Sequence, residues 1–326
     1  MRERLLPASA VLVVAHDYPD PDCIAAAGGI QYLLQSWGVS DSVIAFGGFV
    51  GRAENRAMLR HLSIEALPFA LVDLGDFDRI VLVDCMPGGG NVSLPDTAAV
   101  DAVLDHHVET APEEATWFAD IRSDLGATST MVAGYLFAEG LPLSPKLATA
   151  LFYGIKTDTR SMGRETSDED LATYKVLFEI MDHKLLSRIE SPDRDIDYFR
   201  IVHSATESAV SYGTVGYAHL GTVPSPDYVA EMADFFLGLA RLEWMICSGF
   251  FKKRLFFSIR TKRGGGAGKY AHGIGSTLQG DGGGHGMIGA GSVPIGSLSE
   301  SDMVSRFVKT MKDTLRITQE EPDKVL

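Results

Sequence analysis

Short apolar runs separated by polar or glycine-containing segments recur early in the chain, at Val11–Ala15, Ser42–Phe46, Arg79–Val83 and Ala99–Leu104. Each has the length of a buried strand. Between them, Cys23–Trp37, stopped by Gly38, and Arg52–Leu62 carry helical spacing. Further helices are predicted around Thr128–Glu139, Pro145–Lys156 and Ser167–His183. Strand and helix in alternation predict an α/β fold, a mostly parallel sheet with helices on both faces.

The pattern changes near residue 190. Glu190–Asp197 is rich in Asp and Arg with one Pro, and reads as a linker or the start of a short connecting helix. Beyond it, Tyr212–Leu220, Glu243–Phe250 and Leu255–Ile259 have strand character, and helices are expected at Asp227–Ala240 and Glu300–Leu315. The expected organisation is a domain over 1–190, a linker over 191–205 and a smaller α/β domain over 206–326, across a cleft from the first.

With 326 residues, 45% of them hydrophobic and 22% charged, the chain has material for two cores. No apolar run approaches the roughly 20 residues of a membrane span, so no membrane association is expected. The N-terminal MRERLLPASAVLVVAHD has an apolar run only a strand long, which argues against a signal peptide. Cys23, Cys85 and Cys247 lack zinc-ligand spacing. Cys23 and Cys85, each following an aspartate, are read as small buried neighbours, and a cytoplasmic location is expected. The formal net charge of −14 excludes a broad basic face for long nucleic acid. One stretch departs from it. No acid lies between Glu243 and Asp281, and Lys252, Lys253, Arg254, Arg260, Lys262, Arg263 and Lys269 fall there. These are either the basic edges of a solvated hairpin or a field drawing a small phosphorylated ligand toward the glycines that follow.

Three predicted strands end on metal-competent side chains. Val103-Leu104 runs into Asp105-His106-His107, Val11–Ala15 into His16 with Asp20 and Asp22 behind it, and Ile80–Val83 into Asp84. In open α/β sheets, ligands bind beyond the carboxyl ends of the strands, so these residues are expected in one crevice as a metal site. Asp20 and Asp22 serve equally well as helix caps, and Asp84 as a strand-end cap. Asp158 ends an apolar helix, where a carboxylate faces the negative end of the dipole. Asp20, Asp22, Asp84 and Asp158 bring four negative charges, which two divalent ions would balance. Their mixture with imidazole suits manganese, with cobalt or magnesium as alternatives. Ser129 and Thr130 most simply cap a helix. Gly282–Gly284 before His285 reads as an anion nest or as a flexible turn, and His203 and His272 could be recruited to such a site.

The strings HDYPDPD, VLVDC, LDHH and GIKTDT, with Gly282-Gly283-Gly284-His285 near the C-terminus, resemble the DHH phosphoesterases that carry a DHH-associated C-terminal domain. The resemblance extends over nearly the whole chain and covers nanoRNase/pAp phosphatases, cyclic-dinucleotide phosphodiesterases and RecJ-type exonucleases. It implies one ion held by His16, Asp20 and Asp84, and a second by Asp22, Asp84, His106 and Asp158, with Asp84 shared. It further implies that Asp105 orients the neighbouring histidine, that His107 and His285 act on the substrate phosphate, and that Arg260, Gly283 and Gly284 contact substrate. Ser129 and Thr130 match the family's Ser/Thr helix start. Two departures stand out. Cys23-Ile24-Ala25-Ala26 follows the second acid where Ser or Gly is usual, and Asp281 takes the place of a first glycine, near the implied phosphate pocket.

The implied activity is two-metal hydrolysis of short oligoribonucleotides, linear or cyclic dinucleotides, or pAp to mononucleotides. The implied partner is a short nucleotide substrate, not a long nucleic acid, and a homodimer is compatible with the sequence. The alternatives are an inorganic pyrophosphatase or exopolyphosphatase, and a nucleotide-sensing metal protein without turnover.

Overall fold

A computed structural model describes residues 1–107, 118–163 and 166–325, apart from the side chain of His285. The chain divides into two compact units, Met1–Pro192 and Asp193–Leu326.

The first unit opens with a single turn, α1 (Arg2–Leu5). It continues through β1 (Ala10–Ala15), α2 (Pro21–Ser36), β2 (Asp41–Phe46), α3 (Ala53–Leu62), β3 (Ala66–Pro68), β4 (Arg79–Val83), β5 (Ala102–Asp105) and β6 (Phe118–Ile121). Helices α4 (Thr128–Ala138), α5 (Pro145–Asp158), α6 (Asp168–Ile180) and α7 (His183–Glu190) complete it. The strands form one sheet in the order β3-β2-β1-β4-β5-β6, with every pairing parallel. The α/β class expected from the alternation is therefore the one observed.

Strand period explains the burial. Val11, Val13, Val81 and Val83 enter a core with residues of α2, α4 and α5, while Leu12, Val14, Leu82 and Val103 point the other way. Helices on both faces were expected. Among the described residues, this second face is instead covered by Met86, Leu94, Phe69, Leu74 and Phe77. Phe69 and Leu74 lie in two single-turn 3-10 helices, Phe69–Leu71 and Leu74–Asp76, and Met86 and Leu94 in the Gly- and Pro-rich connection after β4, which cannot sustain an α-helix. The strand order reverses between β1 and β4, and such a switch point opens a crevice at the strands' carboxyl ends. His16 and Asp84 follow those two ends directly.

The helix expected over Ser167–His183 is α6, which Ser167 caps and which ends at Met181; Asp182 then caps α7, accepting from the amides of Lys184 and Leu185.

The second unit comprises α8 (Ile196–Ser208), β7 (Val210–Tyr212), β8 (Val215–Thr222), α9 (Asp227–Leu237), β9 (Trp244–Phe251), β10 (Arg254–Thr261), α10 (Ala267–Thr277), β11 (Asp281–His285), β12 (Ile288–Pro294), α11 (Glu300–Leu315) and β13 (Asp323–Lys324). Its sheet runs β11-β12-β10-β9-β8-β7-β13, with only the β8–β9 pairing parallel. Most of the segment expected as a linker, 191–205, is α8. Its acidic start is a cap, with Asp195 accepting from the Tyr198 amide. No helix among the described residues is long and apolar enough to cross a membrane.

The glycine-rich segment, read as an anion nest or a flexible turn, has the backbone of strand β11, paired with β12. Helix α10 lies directly on it. A Cβ at Gly282 would sit 2.2 Å from the Ala271 carbonyl oxygen, and one at Gly284 2.3 Å from that of Ile288. Gly284 also has φ +135°, a conformation open mainly to glycine. Gly283 faces the other way, with nothing within 4 Å. Gly284→Ala should therefore destabilise the protein by about 1–3 kcal/mol in urea denaturation, while Gly283→Ala stays close to wild type. Equal stability of the two variants would show that neither the close approach of β12 nor the backbone conformation explains the glycine at 284.

Candidate metal centre

Four connections of the first unit bring their polar residues to one place. Beyond β1, Asp20 caps α2 by accepting from the amides of Asp22 and Cys23. Asp20, the residue before Pro21, is extended as the sequence suggests, whereas Tyr18, before Pro19, is left-handed. Asp22 turns inward and caps a different helix, since its carboxylate accepts from the amides of Thr128 and Ser129 at 2.7 and 2.9 Å. Helix α4 has no side-chain cap of its own, so Ser129 and Thr130 are not the caps expected. Ser129 Oγ donates to the Asp22 carbonyl, and Thr130 Oγ1 to the buried Asp170. The cap reading of the HDYPDPD acids is thus realised, Asp20 on its own helix and Asp22 on α4. A carboxylate fixed by backbone amides is also an aimed carboxylate.

Asp84 lies at the centre. It is 1% exposed and adopts φ +61°, uncommon for any residue with a Cβ. Its Oδ2 is 3.5 Å from His16 Nε2, its Oδ1 is 3.6 Å from His106 Nε2, and Thr128 Oγ1 donates to Oδ1 at 2.7 Å. His16 Nε2 is also 3.6 Å from Asp20 Oδ1, and His106 Nε2 is 3.1 Å from Asp158 Oδ2.

Both imidazoles are anchored through the other ring nitrogen. His16 Nδ1 is 2.9 Å from the Asp17 carbonyl oxygen and His106 Nδ1 is 3.2 Å from that of Leu125, which directs each Nε2 at carboxylates. His106 Nε2 is buried and has no hydrogen-bond partner among the described residues. Two atoms each about 2.1 Å from one ion lie roughly 3.0–3.5 Å apart, close to the spacings seen here. An orphaned imidazole nitrogen among carboxylates at that spacing fits a divalent cation.

Three overlapping donor sets result. His16, Asp20, Cys23 and Asp84 place one ligand atom each within 4.8 Å of one another, as do Asp84, His106 and His107, and Asp22, His106 and Asp158. The implied ligands are therefore together, with Asp84 common to the first two sets and His106 to the last two. The Cys23 thiol was read only as a buried neighbour. It does reach the first set, but it donates to the Asp20 carbonyl, and burial pushes its pKa up to about 12. Asp105 orients His107: its Oδ1 accepts from His107 Nδ1 at 2.7 Å and from the His107 amide. His107 is half exposed, with Nδ1 3.9 Å from Asp84 Oδ1.

Sequence reading missed the Thr128 hydroxyl and the need for Gly154. A Cβ at Gly154 would sit 2.4 Å from Ser129 Oγ and 2.9 Å from Asp22 Oδ1, so only glycine lets α5 pass. A glycine interior to the apolar LFYGI was the available signal.

In the second unit, Arg260 is 6% exposed. Its Nε donates to Asp234 at 2.8 Å and its Nη1 to Ser258, which makes it an internal crosslink. Gly283 and Gly284 lie on β11, and the side chain of His285 falls outside the described residues. Asp281 is taken up by Arg254 at 2.9 Å. The basic stretch forms a hairpin whose turn residues Lys252 and Lys253 both have positive φ, and Arg263 pairs with Glu243. His203 pairs with Glu207 on α8, and His272 Nδ1 is near the Gly282 carbonyl.

Residues 10–155 match the DHH family, N-terminal domain. Those residues are a DHH-family N-terminal domain. The chain is 31% identical over 306 residues to an uncharacterized protein of Methanocaldococcus jannaschii, covering 92% of this chain and 62% of that protein. It is 28% identical over 174 residues to a manganese-dependent inorganic pyrophosphatase of Methanothrix thermoacetophila, covering 53% of this chain and 55% of that enzyme. This chain thus spans less than two thirds of the length of these relatives. An exopolyphosphatase-related protein from Bacteroides fragilis shares its fold, with TM-score 0.77 and 14% identity over 97% of this chain and 96% of the other.

The clustered charges predict how the metal-free protein responds to pH. Burial, then the charges of neighbouring acids, pushes Asp22 and Asp84 up to about 7 and Asp158 to about 6, from an ordinary 3.8. Burial alone would lower His106, but Asp158, Asp84 and Asp22 outweigh it and raise the imidazole to about 10. All four groups hold protons that the unfolded chain has released. Their stabilisation is complete below pH 3.8 for the acids and 6.5 for His106, and is lost as pH rises through 7 and then 10. In Asp20 and Asp105, burial is outweighed by His16 and His107 respectively, and the downward shifts act only below pH 3.8. The melting temperature of chelated protein should fall between pH 5 and 8, and added divalent metal should reverse the fall. A chelated protein whose melting temperature stays flat or rises over that range would contradict the assignment. Asp84→Ala should lower metal stoichiometry at both sets that share it, read by elemental analysis after dialysis; wild-type occupancy would remove Asp84 from the shared position.

Proposed function

We propose that this DHH-domain protein is a manganese-dependent hydrolase of short nucleotide phosphoesters: short oligoribonucleotides, linear or cyclic dinucleotides, or pAp. The observation that carries the reading is Asp84, a buried carboxylate flanked within 3.6 Å by two backbone-anchored imidazoles that belong to different donor sets. In this reading His16, Asp20 and Asp84 hold one cation, and Asp22, Asp84, His106 and Asp158 hold the other. Divalent cations bound there supply Lewis acidity, which lowers the pKa of water and neutralises charge on a phosphoryl oxygen.

The remaining work falls to the chain. Thr128 and the amides of α4 keep Asp84 and Asp22 in place as charge shifts during the reaction. The hydrogen bond to Asp105 raises the pKa of His107 above the ordinary imidazole value, which favours an imidazole that donates to a phosphoryl oxygen as negative charge builds on it. Asp105 and His107 therefore act as one catalytic pair. Phosphate capture in the second unit is assigned to His285 with Gly283 and Gly284. Arg260 is committed to Asp234 and Ser258, so its part is to brace β10.

Hydrolysis of inorganic pyrophosphate is the second reading, favoured by the likeness to manganese-dependent pyrophosphatases over 53% of this chain. The Gly282–His285 signature favours a nucleotide ester instead.

With manganese present, a diribonucleotide should be cleaved at least tenfold faster than pyrophosphate at matched concentration, and a chelator should abolish both reactions. Faster release of phosphate from pyrophosphate would reverse the order of the two readings. The net charge of −14 adds a length dependence. kcat/KM should fall from two- to five-nucleotide RNA toward long strands, and the fall should shrink at high salt as repulsion is screened. A long RNA cleaved faster than a dinucleotide would point to an exonuclease.

A further inference from the structure

The turn that carries two of the proposed ligands also presents an aromatic ring with no evident structural duty. Tyr18 stands two residues from both His16 and Asp20, so its Cα lies within about 7 Å of theirs along the chain. It is 58% exposed. Its φ is +57°, costly for a residue with a Cβ, and all the more so before a proline, which restricts the preceding backbone.

The surroundings hold this conformation from several sides. The Tyr18 amide donates to the Gly47 carbonyl, and the Asp17 amide to that of Asn91. Asp17 accepts from the amide and hydroxyl of Ser93. Gly48 is cut away beneath the ring, since a Cβ there would sit 2.7 Å from Tyr18 Cε1. Phe49 makes an edge-to-face contact with the ring at 5.1 Å and 84°, which helps fix the ring plane while more than half of the residue stays exposed. An exposed ring so constrained resembles a binding platform more than a packing residue.

We infer that Tyr18 is a specificity-determining residue, a platform on which a nucleobase of the substrate stacks while the ester lies at the metal centre. The inference rests on the nucleotide-ester reading and narrows it, because pyrophosphate and polyphosphate offer no π-face to this ring. Stacking on one aromatic residue tolerates any base, so selection here is for the presence of a base and not its identity.

The test compares a diribonucleotide with the same ribose-phosphate backbone lacking bases, both with manganese. Tyr18→Asn removes the ring while tolerating the left-handed conformation, and Tyr18→Phe keeps a stacking ring. The ratio of kcat/KM for the base-bearing over the abasic substrate should fall about tenfold in Tyr18→Asn and hold in Tyr18→Phe. Melting temperature and bound manganese, measured for each variant, report whether the turn survives. An unaltered ratio in Tyr18→Asn, or an equal loss on both substrates, would overturn the inference. Should wild-type protein cleave neither substrate, the hydrolase reading falls, and the platform is decided by binding. Adenosine 5′-monophosphate titrated with calcium present should bind Tyr18→Asn about tenfold more weakly, and equal affinity would overturn it.

Discussion

The first unit is organised around the placement of one carboxylate. Asp84 is buried, left-handed at its backbone, and shared between the nitrogens of His16 and His106. A lone carboxylate in that position would be expelled or protonated. It is kept because β1 and β4 lie side by side where the strand order reverses, which delivers His16 and Asp84 together, and because β5 brings the histidines in register beside them. Thr128 supplies a hydroxyl from the start of α4. The sheet order, the helix start and the strained residue form one arrangement.

The acids of the centre also perform structural work. Asp20 caps its own helix, Asp22 caps α4 across the fold, and the two amides bound to Asp22 offset part of its desolvation. Holding α5 close enough for Asp158 to reach His106 requires Gly154, where any side chain would strike Ser129 or Asp22. Ligand aiming and helix packing are therefore coupled. Residues far from phosphate chemistry, such as Gly154, share the constraint.

The second unit uses glycine for a different purpose. Its Gly-rich run lets a helix backbone rest on strand β11, and Arg254 and Arg260 stitch neighbouring elements through Asp281 and Asp234. Much of the local positive charge is thereby spent inside the unit.

Sequence alone determined the class of the fold and the identity of the clustered side chains. Buried strands need continuous apolar runs, and polar residues stranded at their ends need a partner, so both leave a local mark in HDYPDPD, VLVDC, LDHH and GIKTDT. Local marks could not separate a cap from a ligand at Asp20 and Asp22, nor show that Asp22 caps a helix more than a hundred residues away. The Thr128 hydroxyl, the thiol of Cys23 beside the first donor set, and the strand conformation of Gly282–Gly284 were likewise decided by tertiary structure. Each depends on which backbone lies opposite. A hydroxyl, a thiol or a missing Cβ acquires its role only from a neighbour that the sequence does not place.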